Sequence, residues 1–165
     1  AVSPSDTAPV LVALDATMVV LSNAGERLIP AEDFFVGPAI DIVNMTALKE
    51  GEILTAVRIP NDWANAEFYW EKVADRNVWD FALVSIAAVM KVSNGQIQDS
   101  RFACGAVECT PRRLSSVENA LQGQKRSEAL AEAVSGLASA GAEPLNYNHF
   151  KVPLIENLVK RAVRG

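Results

Sequence analysis

Phe68-Tyr69-Trp70-Glu71-Lys72-Val73-Ala74-Asp75-Arg76-Asn77-Val78-Trp79-Asp80-Phe81-Ala82 is the stretch on which the fold of this chain turns. Its first half is rich in aromatics and alternates, so it reads as a strand. Phe68, Trp70 and Lys72 fall on one face, Tyr69 and Glu71 on the other. A polar turn tipped by Trp79, Asp80 and Phe81 follows, then an apolar run over residues 81–92. One basic side chain therefore ends an aromatic face beside a turn. Such a surface can grip a flat, negatively charged ligand. The plainer reading is a half-buried strand with a snorkelling lysine, and residue types alone favour it.

Downstream, the run 81–92 suits a buried strand or a helix, because Ala82, Ser85, Ala87 and Ala88 fit either. Strand is preferred, since Ser93-Asn94-Gly95 is a hairpin turn and residues 96–107 then alternate through Ile97, Phe102 and Val107. The expectation is a three-stranded antiparallel sheet ended by Pro111 and packed with helices over residues 115–121, 127–140 and 147–163. The last helix places Phe150, Leu154, Leu158 and Ala162 at fourfold spacing. Its basic final turn (Lys160, Arg161, Arg164) suits the negative end of a helix dipole. The class is α+β.

Upstream, Ser3-Pro4-Ser5-Asp6 starts a helix, with Ser5 or Asp6 as cap and Pro9 in the first turn. The N–H groups at that start favour an anionic or hydrogen-bonding partner, and Asp6 can take a ligand hydroxyl there instead of capping. Residues 16–21 and 26–29 form a hairpin about Asn23-Ala24-Gly25, followed by a helical turn over residues 31–35. Residues 40–49 show no regular pattern. A strand over residues 54–59 ends at Pro60, and the polar segment 61–66 reads as a linker. The chain accordingly divides into residues 1–60 and 67–165.

Composition narrows the function. Half of the 165 residues are hydrophobic, enough for a real core. The net charge is −5 and the basic residues are scattered, which argues against nucleic acid as a partner. The longest apolar run is too short to span a bilayer, so no membrane role is expected. Ala1-Val2-Ser3-Pro4 has no secretory character, so the cytoplasm is the expected compartment, with the periplasm open through a removed signal. Cys104, Cys109 and the single His149 match no metal-ligand spacing and read as two buried thiols and a lone imidazole. Neither a Walker pattern nor GxGxxG nor Gly-x-Ser-x-Gly can be drawn through the chain. No catalytic or metal-ligating residue is assigned, and chemistry in an enzyme containing this chain belongs to a bound cofactor.

Several stretches in order carry a resemblance. They are residues 3–15 (SPSDTAPVLVALD), 34–38 (FFVGP), 51–60 (GEILTAVRIP), Lys72 with Asp80-Phe81-Ala82, 104–107 (CGAV) through Thr110-Pro111-Arg112, and 150–154 (FKVPL) with 157–162 (NLVKRA). Together they span nearly the whole chain, which resembles the FAD-binding (medium) subunit of molybdenum hydroxylases, the xanthine dehydrogenase, aldehyde oxidoreductase and carbon monoxide dehydrogenase family. The resemblance implies that residues 1–60 are the later part of a PCMH-type FAD-binding domain. Residues 67–165 would be the C-terminal domain of a CO dehydrogenase flavoprotein. It implies electrons passing from a molybdopterin cofactor through [2Fe-2S] clusters on partner subunits to FAD, and on to NAD+ or another acceptor. The substrate would be an aldehyde or a purine-type compound.

Carried over by position, Ser5 and Asp6 match the end of the second FAD loop and Leu54 matches an apolar contact near the flavin. Lys72 matches a lysine close to the flavin and its ribityl region. The turn over residues 73–83, with Asp80 and Phe81, matches a loop beside the isoalloxazine ring. A cation at the N1/O2 edge of that ring would stabilise its reduced anion. The glycine-rich loops that hold the pyrophosphate have no counterpart here, so the expected partners are an N-terminal FAD-domain half, an iron–sulfur subunit and a molybdopterin subunit. The chain alone is expected to bind FAD poorly. The competing expectation is a non-catalytic docking domain in which Lys72 is merely structural. An oxidase flavoprotein of the vanillyl-alcohol type fits the C-terminal stretches less well.

Overall fold

The computed structural model describes residues 3–165. A short helix, α1 (Ala8–Ala13), precedes a three-stranded antiparallel sheet in the order β2-β1-β3: β1 (Thr17–Ser22), β2 (Gly25–Pro30) and β3 (Ile53–Arg58). The one-turn helix α2 (Ala31–Phe34) follows β2. Its Phe34 joins Val12, Ala13, Met18, Val20 and Ile29 in a small core beneath α1. Residues 36–52, where the sequence has no period, are irregular and expose Ile40, Ile42 and Val43.

The second sheet has the order β4-β5-β6-β7, all antiparallel: β4 (Glu67–Val73), β5 (Val84–Ser93), β6 (Gln96–Gly105) and β7 (Arg112–Arg113). The α+β class and the three main strands are those expected, and β7 adds a fourth. Two arginines carry no alternation, so β7 leaves no trace in the sequence, and it lies after Pro111 rather than before it. The β5–β6 turn has positive φ at both Asn94 (52°) and Gly95 (76°), as a two-residue hairpin turn requires. The run 81–92 was ambiguous because β5 is buried on both sides. Ile86, Ala88 and Met90 face the main core, while Ser85 and Ala87 face α1, which packs on β5 and β6. Residues 81–83 stay outside the strand.

The main core joins Phe102, Ile86, Met90 and Ile97 to the helices α3 (Ser115–Leu121), α4 (Glu128–Ser135) and α5 (Lys151–Arg164). Leu121, Leu158, Val159 and Val163 are fully buried there, each worth about 1.5–3 kcal/mol relative to exposure. Ser127 caps α4 by accepting from the Leu130 N–H at 3.1 Å. That helix ends at Ser135 and tightens into a 3-10 turn, Gly136–Ser139, short of the expected residue 140. α5 begins at Lys151, not at residue 147. Pro153 has no N–H to bond back to residue 149, so the helix cannot extend a further turn upstream. Ile155 and Val159 fill the buried face, while Phe150 is exposed.

The segment 61–66 is not a plain linker. It makes a 3-10 turn, Asn61–Trp63, and buries Trp63 to 3 % exposure.

The seat of α1 is set by small side chains. Ala87, Ala103, Ser85 and Gly105 share the face of the second sheet that meets α1. The approach is closest at Gly105, where a Cβ would stand 2.8 Å from Pro9 Cγ and 2.7 Å from Ser85 Oγ. The same face continues onto β4 as Phe68, Trp70 and Lys72, opposite Val89, Ala87 and Ser85. Tyr69 lies on the other face, against the main core.

Candidate functional site

Lys72, near the end of β4, sits between the segment leading into α1 and the loop after β4. Its Nζ pairs with Asp6 Oδ2 at 2.7 Å and donates to the Asp80 carbonyl at 2.6 Å. The lysine is four-fifths buried and Asp6 half-exposed, so the ammonium is held inside while the carboxylate faces outward. Lys72 thus ties the segment leading into α1 to the loop after β4, across 66 residues of sequence.

Local chemistry explains each partner. Ser5 Oγ accepts from the Ala8 N–H at 3.2 Å and meets Thr7 Oγ1 at 3.1 Å. The N-cap is Thr7, not Ser5 or Asp6, and its own side chain makes no cap bond; Ser5 takes the first N–H of α1 from outside the helix, while Asp6 reaches Lys72. The loop 74–82 is closed at its base by the Leu83 N–H donating to Val73 O at 2.7 Å. Within it the Asp80 carboxylate accepts from the Arg76 N–H at 2.9 Å and the Phe81 N–H at 3.0 Å, with the Arg76 guanidinium 3.6 Å away. The Arg76 N–H above all, then the guanidinium, hold the Asp80 carboxyl below the usual carboxylate range. Arg76 also donates to Trp79 O at 2.7 Å.

This lacing holds Trp79 at φ +56°, a left-handed conformation that costs a bulky residue about 1–3 kcal/mol. Trp79 is 92 % exposed and Phe81 72 %. A hydrogen-bonded loop therefore presents two aromatic rings to solvent beside a buried cation.

Of the residues singled out in the sequence, Asp6, Lys72 and Asp80 form one hydrogen-bonded chain. Phe81 is held by Asp80, and Ser5 stands next to Asp6. Leu54 is not part of that chain. It lies on β3 opposite Val20, half-buried against the core under α1. Sequence reasoning missed Arg76 as the organiser of the loop, although its i, i+4 spacing to Asp80 was a signal. It also missed Asp15, Trp63 and Arg101, whose only signal was a tryptophan in a polar segment.

A partly open cleft of about 290 Å³ lies elsewhere, between the start of α5 and residues 138–144, lined by Cys104, Arg112, Ser139, Asn148 and Lys151. The Lys151 ammonium is committed to Ala106 O at 2.5 Å, and Glu108 sits 3.7 Å from Arg112. Among the described residues no helix is long and apolar enough to cross a membrane.

Comparison with known proteins places the chain in a family. Residues 70–165 match the model of the CO dehydrogenase flavoprotein C-terminal domain, and residues 1–62 match the FAD binding domain in molybdopterin dehydrogenase. The chain is 34 % identical to the nicotine 6-hydroxylase medium subunit of Paenarthrobacter nicotinovorans, over 93 % of this chain and 53 % of that protein. It is 32 % identical to the glyceraldehyde dehydrogenase medium chain of Sulfolobus acidocaldarius, over 85 % of this chain and 47 % of that one. Its fold superposes on carbon monoxide dehydrogenase from Hydrogenophaga pseudoflava with a TM-score of 0.85 at 29 % identity, covering 97 % of this chain and 55 % of that one. Quinoline 2-oxidoreductase from Pseudomonas putida 86 gives 0.85 at 28 % identity, over 99 % and 56 %. The chain therefore spans about half the length of the relatives it matches. By these matches it belongs to the family of medium, FAD-binding subunits of the molybdenum hydroxylases.

Proposed function

We propose that this chain forms the flavin-facing side of an FAD site, with Ser5, Asp6, Lys72, Asp80 and Phe81 directed to the cofactor and Leu54 as an apolar contact. The parent enzyme would pass electrons from iron–sulfur clusters through FAD to NAD+ or another acceptor while a molybdopterin subunit hydroxylates an aldehyde or purine-type substrate. The chain divides between residues 60 and 67, and its partners are an N-terminal FAD-domain half, an iron–sulfur subunit and a molybdopterin subunit. Two free thiols, Cys104 and Cys109, suit a reducing compartment, the cytoplasm.

The observation that carries this is the Asp6–Lys72 pair beside the laced loop. The donor set fits a flat, anionic, hydroxyl-bearing group. Lys72 offers a fixed positive charge, Asp6 keeps one carboxylate oxygen for a hydroxyl, and Phe81 and Trp79 offer ring area. FAD, when bound, supplies the reversible uptake and release of electrons. The chain's own residues do the rest. Lys72 favours extra negative charge nearby, Asp6 holds that ammonium in place, and the Arg76–Asp80 lacing fixes the loop whose Asp80 carbonyl accepts from it.

A second reading, a docking domain without a flavin role, draws on the exposed apolar residues Leu28 and Ile53 of the first sheet. A flavin titration separates the two. The chain alone should bind FAD weakly or not at all, and the subunit completed by joining the chain to the N-terminal FAD-domain half proposed above should bind one FAD. Stoichiometric yellow flavin on the chain alone, or none on the completed subunit, would overturn the proposal.

A further inference from the structure

We propose that Asp15, Trp63 and Arg101 form a clasp that positions α1 and, through it, sets the distance of Asp6 from Lys72. These are positioning residues, and their effect on cofactor binding rests on the flavin reading above.

α1 is held on the second sheet at three points. At its front, Asp6 pairs with Lys72 at 2.7 Å. In its first turn, Pro9 lies over Gly105 with no space for a Cβ between them. At its rear, Asp15 adopts φ +50° as the chain leaves the helix, which aims its carboxylate back toward β6 and β7. Asp15 Oδ2 accepts from Trp63 Nε1 at 3.2 Å and lies 3.3 Å from Arg101 Nε. That Nε is buried and makes no hydrogen bond, so the ion pair with Asp15 is its compensation. Arg113 stands 4.0 Å from Oδ1, but it is committed to Glu118 in a bidentate pair at 2.9–3.1 Å.

The Trp63 ring is itself gripped, with Lys91 Nζ 4.7 Å and the Arg101 guanidinium 5.3 Å from its centroid. One carboxylate at the rear of α1 thus joins the connecting segment to the second sheet. α1 is only six residues long, so a shift at its rear carries through to Asp6, two residues ahead of its first turn. Lengthening the 2.7 Å Asp6–Lys72 contact by about 0.5 Å brings it to the edge of hydrogen-bonding distance.

The test uses the completed, flavin-loaded subunit and two variants. Trp63→Phe keeps an aromatic face for the cations but removes the Nε1–H together with the five-membered ring, and Asp15→Asn keeps the shape but removes the charge. Either should weaken FAD binding roughly threefold to tenfold, the scale of one lost hydrogen bond. Withdrawal of Asp6 leaves the Lys72 charge less neutralised, so the midpoint potential of the bound flavin should rise. That is opposite in sign to Lys72→Ala, which should lower it. A merely structural role would lower the melting temperature and leave the potential of the bound flavin unmoved. Unchanged potential and affinity in both variants, with Lys72→Ala shifting both, overturn the clasp alone. No shift in Lys72→Ala either means the flavin reading has failed and takes the clasp with it. Should Trp63→Phe not fold, Asp15→Asn decides.

Discussion

Replacing Gly105 with alanine perturbs the point where α1 sits closest to the second sheet. The added Cβ would stand 2.7 Å from Ser85 Oγ and 2.8 Å from Pro9 Cγ. The serine hydroxyl can rotate away, but the proline ring cannot. To restore an ordinary contact of roughly 3.4–4 Å, Pro9 and the helix it begins must lift by about 0.6–1.2 Å. Overpacking of this kind costs about 1–3 kcal/mol. Gly105 has no positive φ, so alanine also stiffens the unfolded chain and returns about 0.4–1 kcal/mol. The net loss should be about 1–2 kcal/mol. With a urea slope of about 2 kcal/mol per molar, the unfolding midpoint should fall by about 0.5–1 M. The cause is checked by a double-mutant cycle with Pro9→Ala, which removes the ring. The two changes should couple by roughly 1 kcal/mol. A Gly105→Ala protein as stable as the parent, or costs that simply add, would refute the close-packed seat.

Three further outcomes follow from the same geometry. Asp80→Ala removes the acceptor for the Arg76 and Phe81 N–H groups, so amide exchange at both positions should accelerate about tenfold or more while the melting temperature barely moves; unchanged exchange would show that the carboxylate does not order the loop. Glu52 accepts two hydrogen bonds from Arg27 and one from the Lys49 N–H, which pull its carboxyl down to about 2. A depressed value means the contribution is complete above the ordinary glutamate range, about 4.3, and is lost only as pH falls toward 2; an NMR titration of Glu52 with its midpoint near 4 would contradict this. The Cys104 thiol, pushed up to about 12 by burial, should resist alkylation at pH 8 in the folded chain, while the half-buried Cys109 reacts first; equal labelling of the two would argue that β6 is not packed as described.

How much of this was legible in the sequence depends on the range of the interaction. The alternation of Phe68, Trp70 and Lys72 is local and period-2, so the face they share could be read directly. The run through Ala87 and Met90 could not be, because a strand buried on both sides has lost its alternation. The true start of α5 was legible in principle, since Pro153 excludes an earlier first turn, but the pattern of apolar residues upstream outweighed it. The site itself divides the same way. Nothing local pairs Asp6 with Lys72, 66 residues away, and only the resemblance connected them. Trp63 was hidden by its polar neighbours, and its partners Asp15, Lys91 and Arg101 come from three distant segments.

The central claim is that Lys72 places a positive charge against the cofactor, held there by Asp6. Its most direct test is the midpoint potential of the flavin in the completed subunit, compared between the parent and Lys72→Ala. A potential that becomes clearly more negative in the variant is the predicted result. A potential unchanged within error, with flavin still bound, would contradict the account.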